Sequence, residues 1–200
     1  MSAPASPGCY LRGTKIATAS GECKIEDLKI GDELITHNGS IRPLKWVGRM
    51  SYNKGQRPWL RSILPVLISK GALGKGLPHQ DLYVSQRHEM FIDGVLIMAK
   101  QLLNGTTIRL SAQADATVVQ YFHVMLETHD AILAEGQPAE TLRSGSADRE
   151  KFENFAEYLR LYPNDSKHNL KRFAPFQISF GQKSFALKFV VGKKAAASVA

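Results

Sequence analysis

Gly8-Cys9-Tyr10-Leu11-Arg12-Gly13-Thr14-Lys15-Ile16-Ala17-Thr18 opens a run that continues through Ser20-Gly21-Glu22, Ile25-Glu26-Asp27-Leu28 and Gly31-Asp32-Glu33-Leu34-Ile35-Thr36. Short β-forming pieces, Lys15 to Thr18 and Glu33 to Thr36, are split by turn chemistry at Ala19-Ser20-Gly21 and by a single helical turn at Ile25 to Leu28. The rhythm carries on through residue 143, with turn marks at Asn38-Gly39, Asp93-Gly94 and Asn104-Gly105. Between them lie Lys45 to Val47, Leu82 to Ser85, Met90 to Ile92, Val95 to Met98, Thr106 to Leu110 and Val118 to Leu126, with Val66 to Ser69 as a further strand inside an otherwise loop-like 53–80. Evenly spaced short strands with Gly and Asn turns predict a compact, mostly β domain of antiparallel strands.

The cysteine at the head of this run gives the pattern a chemical reading. A thiol can attack the carbonyl of the residue before it and convert the amide to a thioester. The step is uphill and needs help. The thiol must ionise, the leaving amine must gain a proton, and the oxygen must be stabilised as charge develops. The stretch from Gly8 to Thr36 resembles the opening motif of the Hint superfamily, the fold shared by inteins and the C-terminal part of Hedgehog proteins. The resemblance implies that Cys9 is the nucleophile and the Gly8-Cys9 bond the one it attacks, with Thr14 and Asp32 as supporting candidates.

Two later stretches extend the likeness. Leu82-Tyr83-Val84-Ser85-Gln86-Arg87-His88-Glu89-Met90 resembles the second Hint motif, a hydroxyl residue followed three positions later by His. Thr is usual at the first position; Ser stands here. The implied roles are proton donation by His88 to the Cys9 amide nitrogen and positioning of the scissile peptide by Ser85. Gln120-Tyr121-Phe122-His123-Val124-Met125-Leu126-Glu127-Thr128-His129-Asp130-Ala131-Ile132-Leu133-Ala134-Glu135-Gly136 resembles the closing strand pair of the domain. The likeness implies that His129 orients the thioester, with His123 as a further supporting residue. Gly71 to Pro78, Asn104 to Ile108 and Ala134 to Glu140 resemble the bacterial Hint-type domains of secreted and RTX-like proteins. An intein closes on His-Asn before Cys, Ser or Thr. Gly136-Gln137-Pro138-Ala139 offers no such pair, so N-terminal cleavage or acyl transfer is expected without splicing.

The predicted organisation is a flexible flank over 1–8, a Hint domain over 9–143 and an extension over 144–200. In that extension Ser144-Gly145-Ser146 reads as a linker and Asp148 as the cap of a helix over about 148–161. Phe152, Phe155, Ala156 and Leu159 share its apolar face, and a strand-like appendage follows around 173–191. Two hundred residues with 44% hydrophobic content can build one core without staples. The two cysteines, Cys9 and Cys23, do not make a disulfide framework, and no close ligand spacing suggests a metal or other cofactor. The net charge of +8 is scattered, without the basic stripe and interleaved aromatics of a nucleic-acid binder. No secretory signal or apolar membrane span is legible, which fits a bacterial cytoplasmic protein or one exported by a signal-less route. The expected substrate is the chain's own N-terminal flank, with water, a thiol or an amine as acyl acceptor. A catalytically degenerate Hint fold serving as an interaction scaffold is the competing expectation.

Overall fold

The computed structural model describes residues 7–111, 117–143 and 146–165. The flank ahead of Pro7 and the appendage expected near 173–191 lie outside the described residues. The strands are β1 (Tyr10–Leu11), β2 (Lys15–Thr18), β3 (Gly21–Lys24), β4 (Glu33–Ile35), β5 (Ile41–Asn53), β6 (Val66–Ile68), β7 (Leu82–Val84), β8 (Glu89–Ile92), β9 (Val95–Met98), β10 (Ile108–Leu110), β11 (Val118–Leu126), β12 (Ala131–Ala134) and β13 (Gln137–Glu140). All pair antiparallel in one curled sheet of order β10-β6-β7-β1-β11-β5-β4-β2-β12-β13-β8-β9, with β3 hairpinned onto β2. Lys15–Thr18, Val95–Met98 and Val118–Leu126 match the sequence reading, and Ile25–Asp27 forms a 3-10 turn where a single helical turn was expected.

The largest departure is β5. Only Lys45 to Val47 reads as strand, because Pro43 and Gly48 are poor strand formers. In the structure Ile41–Asn53 is continuous: Pro43 pairs with Glu33 in β4, and Gly48 pairs with His123 in β11. β13, interrupted by Pro138, is likewise a strand, paired with β12 and β8.

Two apolar clusters hold the sheet. One gathers Tyr10, Ile16, Leu34, Leu44, Leu82, Met90, Ile97, Val124 and Ile132. The other gathers Cys9, Leu11, Trp46, Tyr121, Met125, Leu142, Phe152 and Tyr158. Each large side chain removed from water contributes roughly 1.5–3 kcal/mol.

The single helix expected over 148–161 is divided. Ala147–Lys151 is a 3-10 turn capped by Ser146, whose Oγ accepts the Asp148 N–H, and α1 spans Phe155–Leu161. Residues 152–154 are given over to β5. Asn154 accepts the Arg49 N–H through Oδ1 and donates through Nδ2 to the Val47 carbonyl, while the Glu153 N–H donates to the Arg49 carbonyl. The Phe152 ring occupies the space a side chain at Gly48 would need, 2.7–2.9 Å from an ideal Cβ there. These tertiary bonds outweigh local helix preference, and they rotate the apolar face. Tyr158 is buried, whereas Ala156 is exposed and Leu159 is 52% exposed.

Candidate active site

The register of β1 builds the site. β1 lies between β7 and β11, with Tyr10 opposite both Val84 and Phe122. The residue before β1 is therefore brought against the residue after β7. Those residues are Cys9 and Ser85, and both are fully enclosed.

Ser85 grips the backbone on either side of the Gly8-Cys9 bond. Its Oγ donates to the Pro7 carbonyl at 2.7 Å and accepts the Cys9 N–H at 2.9 Å. Its own N–H donates to the Cys9 carbonyl at 2.8 Å. A tight turn then returns the chain, with the His88 N–H donating to the Ser85 carbonyl at 3.1 Å. The Ser-x-x-His spacing thus sets the His88 ring against Gly8: an ideal Cβ on Gly8 would lie 3.5 Å from His88 Nδ1 and 3.0 Å from Glu140 Oε1. Gly8 leaves the space that a side chain would fill.

His88 stacks at a tilt on Tyr10, ring centroids 4.2 Å apart, and meets His123 edge-on at 5.1 Å. Burial pushes the His88 pKa down to about 4, against the opposing pull of Glu140 and the Gly8 backbone. Burial also holds His123 well below its ordinary value, helped by His88, His129 and Arg143. The Cys9 thiol is pushed well above the ordinary 9.0, by burial first and then by the Asp148 and Glu140 carboxylates. These directions favour a thiol at Cys9 and neutral imidazoles at His88 and His123 at neutral pH.

His129 is buried, its Nε2 3.5 Å from Glu140 Oε2. Thr14 and Asp32 are engaged locally: Thr14 Oγ1 donates to the Leu11 carbonyl, and Asp32 Oδ2 accepts the Lys29 N–H, closing a turn. Cys9 and Cys23 are both free thiols.

Two carboxylates at the site had escaped the sequence reading. Glu140 ends β13. Its Oε1 accepts the Glu89 N–H at 3.2 Å, its Oε2 lies 3.8 Å from Arg143 Nη2, and its backbone carbonyl accepts from Tyr10 Oη at 3.3 Å. Asp148, in the 3-10 turn of the extension, comes close enough to raise the Cys9 pKa. A cleft of about 250 Å³ leads to this centre, lined by Gly8, His123, Glu140, Arg143 and Asp148 among others.

A family model described as the Hint domain matches residues 8–146. Among solved structures the chain is similar to a bacterial intein-like domain from Clostridium thermocellum, with a TM-score of 0.50 at 14% identity, covering 68% of this chain and 100% of that one. It is also similar to a DnaB intein from Synechocystis sp. PCC 6803, with a TM-score of 0.46 at 12% identity, covering 68% of this chain and 99% of that one. No curated protein matches it. The curled antiparallel sheet and a family match running from Gly8 to Ser146 lead to one conclusion: the chain belongs to the Hint domain family.

Proposed function

We propose that this Hint domain processes its own backbone at Gly8-Cys9. The Cys9 Sγ attacks the Gly8 carbonyl carbon, an S–C bond forms and the C–N bond breaks. The thiol proton passes to His88 and from there to the departing nitrogen, which becomes the free amine of Cys9. The product thioester is then cleaved by water or a thiol, or transferred to an amine.

The observation that carries this reading is the clamp on Pro7-Gly8-Cys9. One hydroxyl bonds to the backbone before and after the bond to be broken, and an imidazole lies beside the same residue. A neutral imidazole and a protonated thiol flanking one peptide bond suit relay of a single proton, because the pair needs no net uptake from solvent. His129 and Glu140 flank the relay as orienting groups, and His123 borders it. β13 ends at Glu140 and the chain continues as Thr141-Leu142, with no Asn followed by a nucleophile, which supports cleavage or transfer without splicing.

The test is a carrier protein fused ahead of Met1, followed by intact mass and gel with and without dithiothreitol. Release at Gly8 is expected, faster with thiol. Cys9→Ala abolishes release and Cys23→Ala retains it. Thiol-independent release by the Cys9→Ala protein would falsify the acyl shift, and no release by any form would leave the fold as a scaffold.

A further inference from the structure

We propose that Glu22, His79 and Glu135 form a binding site for a divalent transition-metal ion, separate from the Cys9 centre. The three residues come from distant segments. Glu22 lies in the exposed hairpin strand β3, His79 precedes β7, and Glu135 stands in the turn between β12 and β13. Glu135 comes before β13 and Glu140 ends it, so the two clusters sit at opposite ends of that strand.

The donor atoms converge. His79 Nε2 is 2.9 Å from Glu22 Oε1 and 3.5 Å from Glu135 Oε2, and one ligand atom from each residue lies within 4.8 Å of the others. Bonds of about 2.0–2.2 Å to a tetrahedral ion put ligands roughly 3.4 Å apart, so small shifts suffice to seat one.

An independent observation points to a ligand. Glu135 is 5% exposed, and its two oxygens are treated differently. Oε1 accepts the Lys15 N–H at 2.8 Å, whereas Oε2 is buried with no hydrogen-bond partner among the described residues. A buried carboxylate oxygen left without a hydrogen bond is costly. Oε2 faces His79 at a separation long for a hydrogen bond and right for two ligands of one ion.

The backbone holds this geometry in place. The His79 N–H donates to the Glu135 carbonyl at 2.9 Å. Gly136, at φ +75°, packs beneath the ring, where an ideal Cβ would come 2.5 Å from His79 Nδ1. His79 and Glu22 are partly open to solvent, giving an entry path and room for water as a fourth ligand. One imidazole and two carboxylates suit zinc, manganese or iron(II), while calcium and magnesium prefer all-oxygen sets. Lys15 Nζ, 3.6 Å from Glu22 Oε2, is the cation an incoming ion must displace. The sequence had suggested no metal, because its ligands stand in three separate turns and strands and no short motif unites them.

The experiment is titration of the full chain with zinc chloride by calorimetry, beside thermal melts over the same zinc range. Saturable 1:1 binding and a melting temperature that climbs with zinc are expected. Glu135→Gln keeps an oxygen for the Lys15 N–H, and Glu22→Gln lies on an exposed strand, so both should fold. Each should lose the binding and the melting shift, while Cys9→Ala and Cys23→Ala keep both. No saturable binding, or binding that survives in both glutamine variants, overturns the proposal. Binding lost only in Cys9→Ala also overturns it, by placing the ion at the thiol.

Discussion

Replacing Ser85 by Ala removes the hydroxyl that spans the Gly8-Cys9 bond. Two hydrogen bonds disappear together, one from Oγ to the Pro7 carbonyl and one from the Cys9 N–H to Oγ. Ser85 and Cys9 are fully enclosed, so the orphaned Cys9 N–H has no ready replacement. An orphaned buried group costs about 1–3 kcal/mol, and two make roughly 2–6 kcal/mol against keeping the segment in place. At about 1.4 kcal/mol per tenfold, release should slow by roughly 30-fold at the lower end and by about 10⁴-fold at the upper. The assay is the carrier-release time course at neutral pH with excess dithiothreitol, beside thermal melts showing that the domain stays folded. Ser85→Thr restores the hydroxyl and should recover most of the rate. Parental cleavage by Ser85→Ala would refute the clamp, and so would equal losses in the Ala and Thr variants.

His88→Gln should slow release by on the order of 10²–10⁴, the usual worth of a positioned proton-transfer group. The same residue sets an acid limit on stability. Its folded pKa of about 4 lies below the ordinary 6.5, so the unfolded chain binds the proton more readily and stability falls as pH drops from 6.5 towards 4. The loss is about 3 kcal/mol, and urea midpoints at pH 7.5 and 4.5 should differ less in His88→Gln than in the parent. With one tag before Met1 and another after Ala200, blots over time should show a short N-terminal piece and a long one keeping the C-terminal tag. A product joining both tags would demand splicing. Gly48→Ala drives a methyl into the Phe152 ring, 2.7–2.9 Å away, and should cost about 1–3 kcal/mol in a chemical melt; an unchanged midpoint would show that Phe152 does not pack there.

Cys9, Ser85 and His88, which the structure brings together around Gly8, were legible as a set because each sits in a local spacing: Cys9 at the head of a strand-turn run, Ser85 and His88 across one tight turn. Glu140 and Asp148 were not, since a carboxylate's nearness to a thiol far away in sequence leaves no local trace. β5 was shortened in the sequence reading by Pro43 and Gly48, yet Gly48 is there because the Phe152 ring takes its space. The helix of the extension was misjudged for a related reason. Its periodicity is real, but Asn154 binds the backbone of β5 and unwinds the turn before it. In each case a long-range contact overrode a local preference.

Cys9 has no exposed surface, and it shares its apolar cluster with Phe152 and Tyr158 of the extension. Tyr158 is held in turn by Asp165, which also binds Lys45 of β5. The Cys9 sulfur is thus walled off by the extension, whereas Gly8, which would carry the acyl group, lines the cleft. An acceptor dissolved in the surrounding water would approach the thioester carbonyl from that side, past Arg143 and Asp148. The two faces of the new bond would then meet different surroundings, apolar and dry behind the sulfur, polar and open before the carbonyl. A bulky change at Arg143, not a group that handles the proton, would slow handover to a large acceptor more than to water.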